Sequence, residues 1–335
     1  MLGHSMRWGS LRPAVAVLGT AWLAAVLTLG DGRPAAAQFR QVEPGGIKLG
    51  ESRIQRWQCG VVVKAVGGAC RGIVGYMACP VEWPEQTVKI VAEDISPQAK
   101  VSYDDHDGTV KLMIVRIPTL AAGEEVKALV TFEIERHTIL PPDDVDQFVL
   151  PDPKKLDRKL MVYLGESPKI ETRHPKIRDV AREIGVDQPT AWKRVEAIYD
   201  WVRDHVKYEF GPLKGALAAL NDGTGDCEDL TSLFVAICRA QGIPARTVWI
   251  PGHAYGEFYL LDQEGKGHWF PCQPAGARAF GEMPEFRPVL QKGDNYRPPW
   301  NSRDRQRYLS EYLTGMPTPG GGKPQVRFVR ELIAE

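Results

Sequence analysis

The chain has 335 residues, with 42 basic and 42 acidic side chains, 43% hydrophobic and 25% charged. A formal net charge of zero excludes nucleic-acid binding driven by a basic field over the whole chain. The composition excludes a disordered polymer, and at roughly 100–200 residues per domain the length predicts two domains.

Residues 1–37 read as an export signal. Arg7 and Arg12 are the charges that precede an apolar run from Ala14 to Gly30, and Ala35-Ala36-Ala37 then precedes Gln38. A charged n-region, an apolar h-region and an A-x-A site predict cleavage near Ala37, giving a periplasmic or secreted protein. The alternative is a permanent anchor, since the apolar run approaches the length that spans a bilayer. Without these residues the chain keeps 39 basic and 41 acidic side chains, and no later segment is apolar enough to span a membrane.

From 51 to 140 the hydrophobic pattern has period two. Val110, Leu112 and Ile114 alternate with Lys111, Met113 and Val115, while Val126, Ala128, Val130, Phe132 and Ile134 alternate with mostly polar partners. Asp107-Gly108 lies between two such runs and predicts a hairpin turn. This spacing predicts a small β-sandwich domain with no catalytic residues. Pro141, Pro142, Pro151 and Pro153, interspersed with aspartates, mark 141–172 as a linker.

Helical periodicity begins in the next domain, 173–299. Ile177, Val180, Ala181 and Ile184 form one apolar stripe that stops at Gly185. Thr190 can cap a longer helix whose Trp192, Val195, Ile198, Tyr199 and Val202 face a core. In the C-terminal extension, 300–335, Gly315 to Pro324 reads as a flexible spacer before a short strand over Gln325 to Val329.

The six cysteines, at 59, 70, 79, 227, 238 and 272, include no C-x-x-C pair, which argues against a zinc ribbon or a thioredoxin-type site. Cys59, Cys70 and Cys79 allow one internal bridge, of a pairing that the sequence leaves open. The chemistry concentrates around Cys227. Leu230, Leu233, Phe234, Ile237 and Cys238 make one buried helix face, stopped by Gly242 and Pro244. Cys227 lies three residues before Leu230, at the helix N-terminus. Unpaired backbone N–H groups there favour a thiolate, while Asp226, Glu228 and Asp229 oppose it.

A base is at hand. Gly252 to Leu261 alternates as a strand, with His253, Tyr255, Glu257 and Tyr259 on one face, and His268 to Gln273 supplies a second strand after a turn. His268 is the rival base, on the face opposite Gln273. Glu257 reads as a structural partner on its strand, Cys272 as buried, and Tyr208 as either a core tyrosine or an oxyanion donor.

The cysteine helix ending in Gly-Ile-Pro-Ala-Arg, the His-aromatic-Glu strand and the Trp-x-Pro-x-x-Pro strand resemble the transglutaminase-like superfamily over about 190–275. The resemblance implies a papain-like α+β fold, with Cys227 as nucleophile and His253 as general base. It departs at the third position, where Gln273 stands in place of the family's Asp. An amide can still accept a hydrogen bond from the imidazole Nδ1–H, but it supplies no charge to an imidazolium. The implied activity is thiol-dependent acyl transfer to water or an amine on a protein or peptide substrate. No calcium loop is present, and no metal or cofactor is expected. The competing expectation is a binding module that has kept the cleft and lost the chemistry.

Overall fold

The computed structural model describes residues 47–334. The export signal expected over 1–37 therefore lies outside the described residues. The strand-rich region comprises β1 (Lys48–Ala65), β2 (Cys70–Cys79), β3 (Gln86–Ile95), β4 (Lys100–His106), β5 (Val110–Leu120) and β6 (Glu125–Leu140). The Asp107-Gly108 turn closes the β4–β5 hairpin, with both residues in the left-handed region that this tight connection requires.

The helical region follows with α1 (Arg158–Met161), α2 (Pro175–Glu183), α3 (Ala191–His205), β7 (Lys207–Tyr208), α4 (Ala216–Asp222), β8 (Thr224–Gly225) and α5 (Cys227–Ala240). After these come β9 (Ala245–Ile250), β10 (His253–Leu261), β11 (Gly267–Gln273), β12 (Ala279–Phe280), β13 (Gln291–Lys292), β14 (Tyr312–Pro317) and β15 (Pro324–Ala334). Thr190 caps α3 by accepting from the Lys193 N–H at 3.3 Å, and Trp192, Val195, Ile198, Tyr199 and Val202 are buried.

Among the described residues, β15-β1-β6-β3 form a four-stranded sheet. A nine-stranded sheet runs β12-β11-β10-β9-β13-β5-β2-β14, with β4 added beside β5. Inward side chains of both sheets, such as Val61 and Phe132 against Met77 and Met113, share one apolar core. A second core surrounds α5, where Leu233, Phe234 and Ile237 meet Phe258 and Phe270. Residues 229–239 of α5 are buried on every side, so the helix is central rather than amphipathic. The short β13 joins the strand-rich region to the helical one by pairing with both β5 and β9.

Two segments differ from their sequence reading. The expected spacer, 315–324, is a strand connection: 315–317 end β14, which pairs with β2, 318–323 form a loop, and Pro324 opens β15, which pairs with β1 as far as Ala334, well beyond the short strand expected. Their partners lie more than two hundred residues away, so no local pattern announces the pairing. All six cysteines are free thiols, so Cys59, Cys70 and Cys79 form no bridge. The Cys70 thiol instead donates to the Gly322 carbonyl at 3.1 Å, and that of Cys79 to the Lys111 carbonyl at 3.4 Å. The Pro-rich 141–172 segment is docked, with Phe148 buried in the α5 core and Val149 bridging to Leu261.

A chain of buried ion pairs crosses between the two regions. Lys292 on β13 reaches Glu85, just before β3, at 2.8 Å and Glu257 on β10 at 2.6 Å. Glu257 also takes Arg246 of β9 at 2.6 Å, and Arg246 lies 4.1 Å over the Trp269 ring. Glu257 is thus a structural anchor, turned away from catalysis. Burial would push the Glu85 carboxyl up, but Lys292 and Arg136 outweigh it and hold it at about 2.

Candidate active site

The local structure around Cys227 is set by carboxylates that cap its helix. Asp226 Oδ1 accepts from the Glu228 and Asp229 N–H groups at 2.9 and 3.0 Å. Asp229 answers by accepting from the Asp226 N–H at 3.2 Å, which completes a capping box. The other Asp229 oxygen accepts from the Lys214 and Gly215 N–H groups at 2.9 and 2.7 Å, pinning the start of α4 to α5. This packing needs a glycine at 225, where an added Cβ would stand 2.6 Å from the Asp229 Cβ. Cys227 is the first helical residue, and its backbone N–H is one of the donors that a helix leaves unpaired.

His253 opens β10 directly after Gly252, whose φ of +69° makes the reversal from β9. Gln273 ends β11, the neighbouring strand. His253 Nε2 lies 3.0 Å from Gln273 Oε1, while Gln273 Nε2 donates to the Ala277 carbonyl at 3.3 Å. A carbonyl can only accept, so the amide nitrogen faces Ala277 and the amide oxygen faces the ring. His253 Nε2 therefore carries the hydrogen, and Nδ1 is the basic nitrogen of the neutral ring. The sequence reading expected the reverse, with Nδ1 on the amide. The backbone carbonyl of Gln273 accepts in turn from the Tyr199 hydroxyl at 3.0 Å and from Arg203 at 3.2 Å.

Cys227 and His253 line one cavity of about 530 Å³, together with Tyr208, Phe210, Trp249 and Arg307. Tyr208 is 53% exposed, which removes it from the core. Its strand pairs with Thr224–Gly225, immediately before the nucleophile candidate. His268 is elsewhere: its Nε2 meets Asp262 at 2.7 Å, and its ring packs against Phe148. The cavity's outer wall was not legible in the sequence. Trp57 comes from β1, Arg307 and Tyr308 from the segment before β14, and Arg330 from β15.

Electrostatics hold both candidate groups toward neutrality. Burial pushes the Cys227 thiol up; the Ala254 backbone N–H opposes this, and Asp226 and Glu228 reinforce it. Burial pushes the His253 imidazole down, opposed by the Gln273 hydrogen bond. Both shifts favour the neutral thiol and the neutral ring over an ion pair. Among the described residues no group of His, Cys, Asp and Glu is arranged to hold a metal, and no helix is long and apolar enough to cross a membrane.

Comparison with known proteins adds the family. Residues 178–274 match the family model of the transglutaminase-like superfamily. The chain resembles the crystal structure of a protein from Cytophaga hutchinsonii described as a candidate cysteine protease. That alignment has a TM-score of 0.56 and 16% identity, covering 85% of this chain and 92% of that one. A structure from Parabacteroides distasonis, described as a candidate protease, aligns with a TM-score of 0.27 and 14% identity, over 64% of this chain and 43% of that one. The first likeness is one of fold, and the second carries no argument. No curated protein matches the chain in sequence. The matched segment runs from within α2 to the end of β11, and the chain therefore carries a transglutaminase-like domain in an α+β fold with a strand-rich N-terminal region.

Proposed function

We propose that this protein is an exported, thiol-dependent enzyme that transfers acyl groups from amide or peptide bonds to water or to an amine. The observation that carries the reading is the shared cavity of Cys227 and His253, with the ring tethered through Nε2 to Gln273. In the proposed step the Cys227 sulfur attacks the carbonyl carbon while its proton passes to His253 Nδ1. The resulting oxyanion faces the Cys227 backbone N–H, with the Tyr208 phenol as second donor. The C–N bond then breaks, and Nδ1–H protonates the departing amine. Water or a second amine attacks the thioester, giving its proton to Nδ1, and the thiol is restored.

A polypeptide suits the cleft better than a small amide. The catalytic cavity shares Trp57 and Pro251 with a second one of about 290 Å³ that extends toward Phe286 and Leu332. Phe210, which also lines the catalytic cavity, is 87% exposed, an apolar surface that a substrate side chain would cover. The strand-rich region, read as a β-sandwich domain, would then serve as one wall of the substrate groove.

Denatured casein, with and without a primary amine, provides the test. Release of peptides or ammonia, or amine incorporation, should disappear in Cys227→Ala, and iodoacetamide should label Cys227 ahead of the five buried cysteines. Labelling at Cys227 without turnover on any acyl donor would favour a second reading, a binding module. What favours that alternative is the uncharged Gln273 beside His253, together with the burial and the carboxylates that push the Cys227 thiol up.

Gln273 gives a graded check. Gln273→Ala should slow alkylation of Cys227 at neutral pH about 10-fold, because the ring loses its tether and its Nε2–H tautomer. Gln273→Asp should accelerate it by adding charge that stabilises the imidazolium. Rates unchanged in both variants would remove Gln273 from the mechanism.

A further inference from the structure

The segment that leads into β14 carries Arg307, which the proposed acyl-transfer chemistry does not use. Arg307 forms an ion pair with Glu228, the residue next to Cys227, across the wall of the catalytic cavity. The guanidinium also lies 4.9 Å over the Trp249 ring, and its side chain is 21% exposed. The backbone two residues on is fixed, since fully buried Leu309 exchanges hydrogen bonds with the Gln291 side chain, both at 2.9 Å. Arg307 is therefore held beside Glu228, in the cavity that Cys227 lines, by an aromatic ring, a carboxylate and an anchored chain.

The charges around Cys227 make this contact consequential. On its own helix stand Asp226, Glu228 and Asp229. Asp226 Oδ1 and both Asp229 oxygens already accept from backbone N–H groups of the cap and of the start of α4. From β10 comes His253, with Arg287 and Glu285 behind it; from β7 comes Tyr208. From the C-terminal segment come Arg307, Tyr308 and Arg330, the last bound to Glu311 at 2.6 Å and to the Tyr308 hydroxyl at 2.7 Å. Glu228 is thus the carboxylate beside the thiol whose partner is a side chain from a distant part of the chain.

We propose that Arg307 is a positioning residue for the nucleophile: by binding Glu228, it offsets the repulsion that a thiolate at Cys227 would otherwise meet. Two charges separated by a few ångströms in a half-buried site interact strongly enough to move a thiol by on the order of one pH unit. Burial and the two adjacent carboxylates already push the Cys227 thiol up, so the contribution of Arg307 falls where the site has least to spare. The C-terminal segment, remote in sequence, becomes part of the catalytic apparatus. The inference rests on reading Cys227 as the nucleophile, but thiol acidity can be measured without any substrate.

The test is the pH dependence of iodoacetamide alkylation, followed on the Cys227 peptide by mass spectrometry, in the full chain. Arg307→Gln leaves Glu228 unpaired and should raise the midpoint by about one pH unit, slowing alkylation at neutral pH about 10-fold. Glu228→Gln leaves the cation beside the thiol and should lower the midpoint. The double variant should return it toward the parent value, a reversal that simple loss of packing cannot produce. Opposite shifts with that return support the proposal. Shifts in the same direction, or none in Glu228→Gln, overturn it, even if Arg307→Gln proves unstable. Loss of turnover in Cys227→Ala is a separate result, so failure of the enzyme reading and failure of this inference are distinguishable.

Discussion

Replacing His253 by Ala should lower acyl-transfer activity by about 10²–10⁴-fold, with little change in melting temperature. The ring lines the cavity and makes one side-chain hydrogen bond, to Gln273, so its loss leaves the apolar core intact. Burial pushes the Cys227 thiol up and the His253 imidazole down, which favours the neutral forms, so in the proposed reaction the proton moves during attack with Nδ1 as its acceptor, and the expected effect is large. The sign for pH follows from the same shift. An imidazole pushed below its usual value of about 6.5 stays a competent base into mildly acidic solution, so the acid limb of kcat/KM should fall below that pH. A His253→Ala variant retaining more than about a tenth of parental kcat/KM would remove His253 as the base and return attention to His268.

Lys292→Met should destabilise the fold by about 3–5 kcal/mol, read from denaturant midpoints at constant m-value. The side chains of Lys292, Glu85 and Glu257 are 4%, 1% and 2% exposed, so removing the lysine leaves buried Glu85 with Arg136 alone, 3.8 Å away, and buried Glu257 with Arg246 alone. Salt would not substitute, because buried charges are weakly screened. Acid should reproduce part of the loss. The Glu85 carboxyl is held at about 2, below its unfolded value, so its stabilisation is present above about pH 4.5 and is lost as pH falls toward 2. A change below about 1 kcal/mol in Lys292→Met would mean that the network is relaxed by water and does not join the two regions.

What the sequence determined by itself is what local chemistry encodes. The Asp107-Gly108 turn, the Thr190 cap, the strands of 51–140 and the central helix after Cys227 each follow from side chains within a few residues of one another. The candidate nucleophile, base and third residue came instead from the resemblance to the transglutaminase-like superfamily, carried over onto Cys227, His253 and Gln273, and the first two line one cavity while the third meets the ring. Tertiary structure decided the rest. Whether Tyr208 is buried, which ring nitrogen meets Gln273, and where Glu257 turns depend on partners contributed by other strands. Strand β5 is the plainest case. Its alternation reads as one buried face, Val110, Leu112 and Ile114, which packs with Tyr296 and Leu309, yet Met113 and Val115 on the other face are buried too, in the core between the sheets. The outer wall of the cavity comes from Trp57 near one end of the chain and from Arg307 and Arg330 near the other. A pairing between such distant residues leaves no periodic trace, because strand patterns record which face is apolar and not which neighbour covers it.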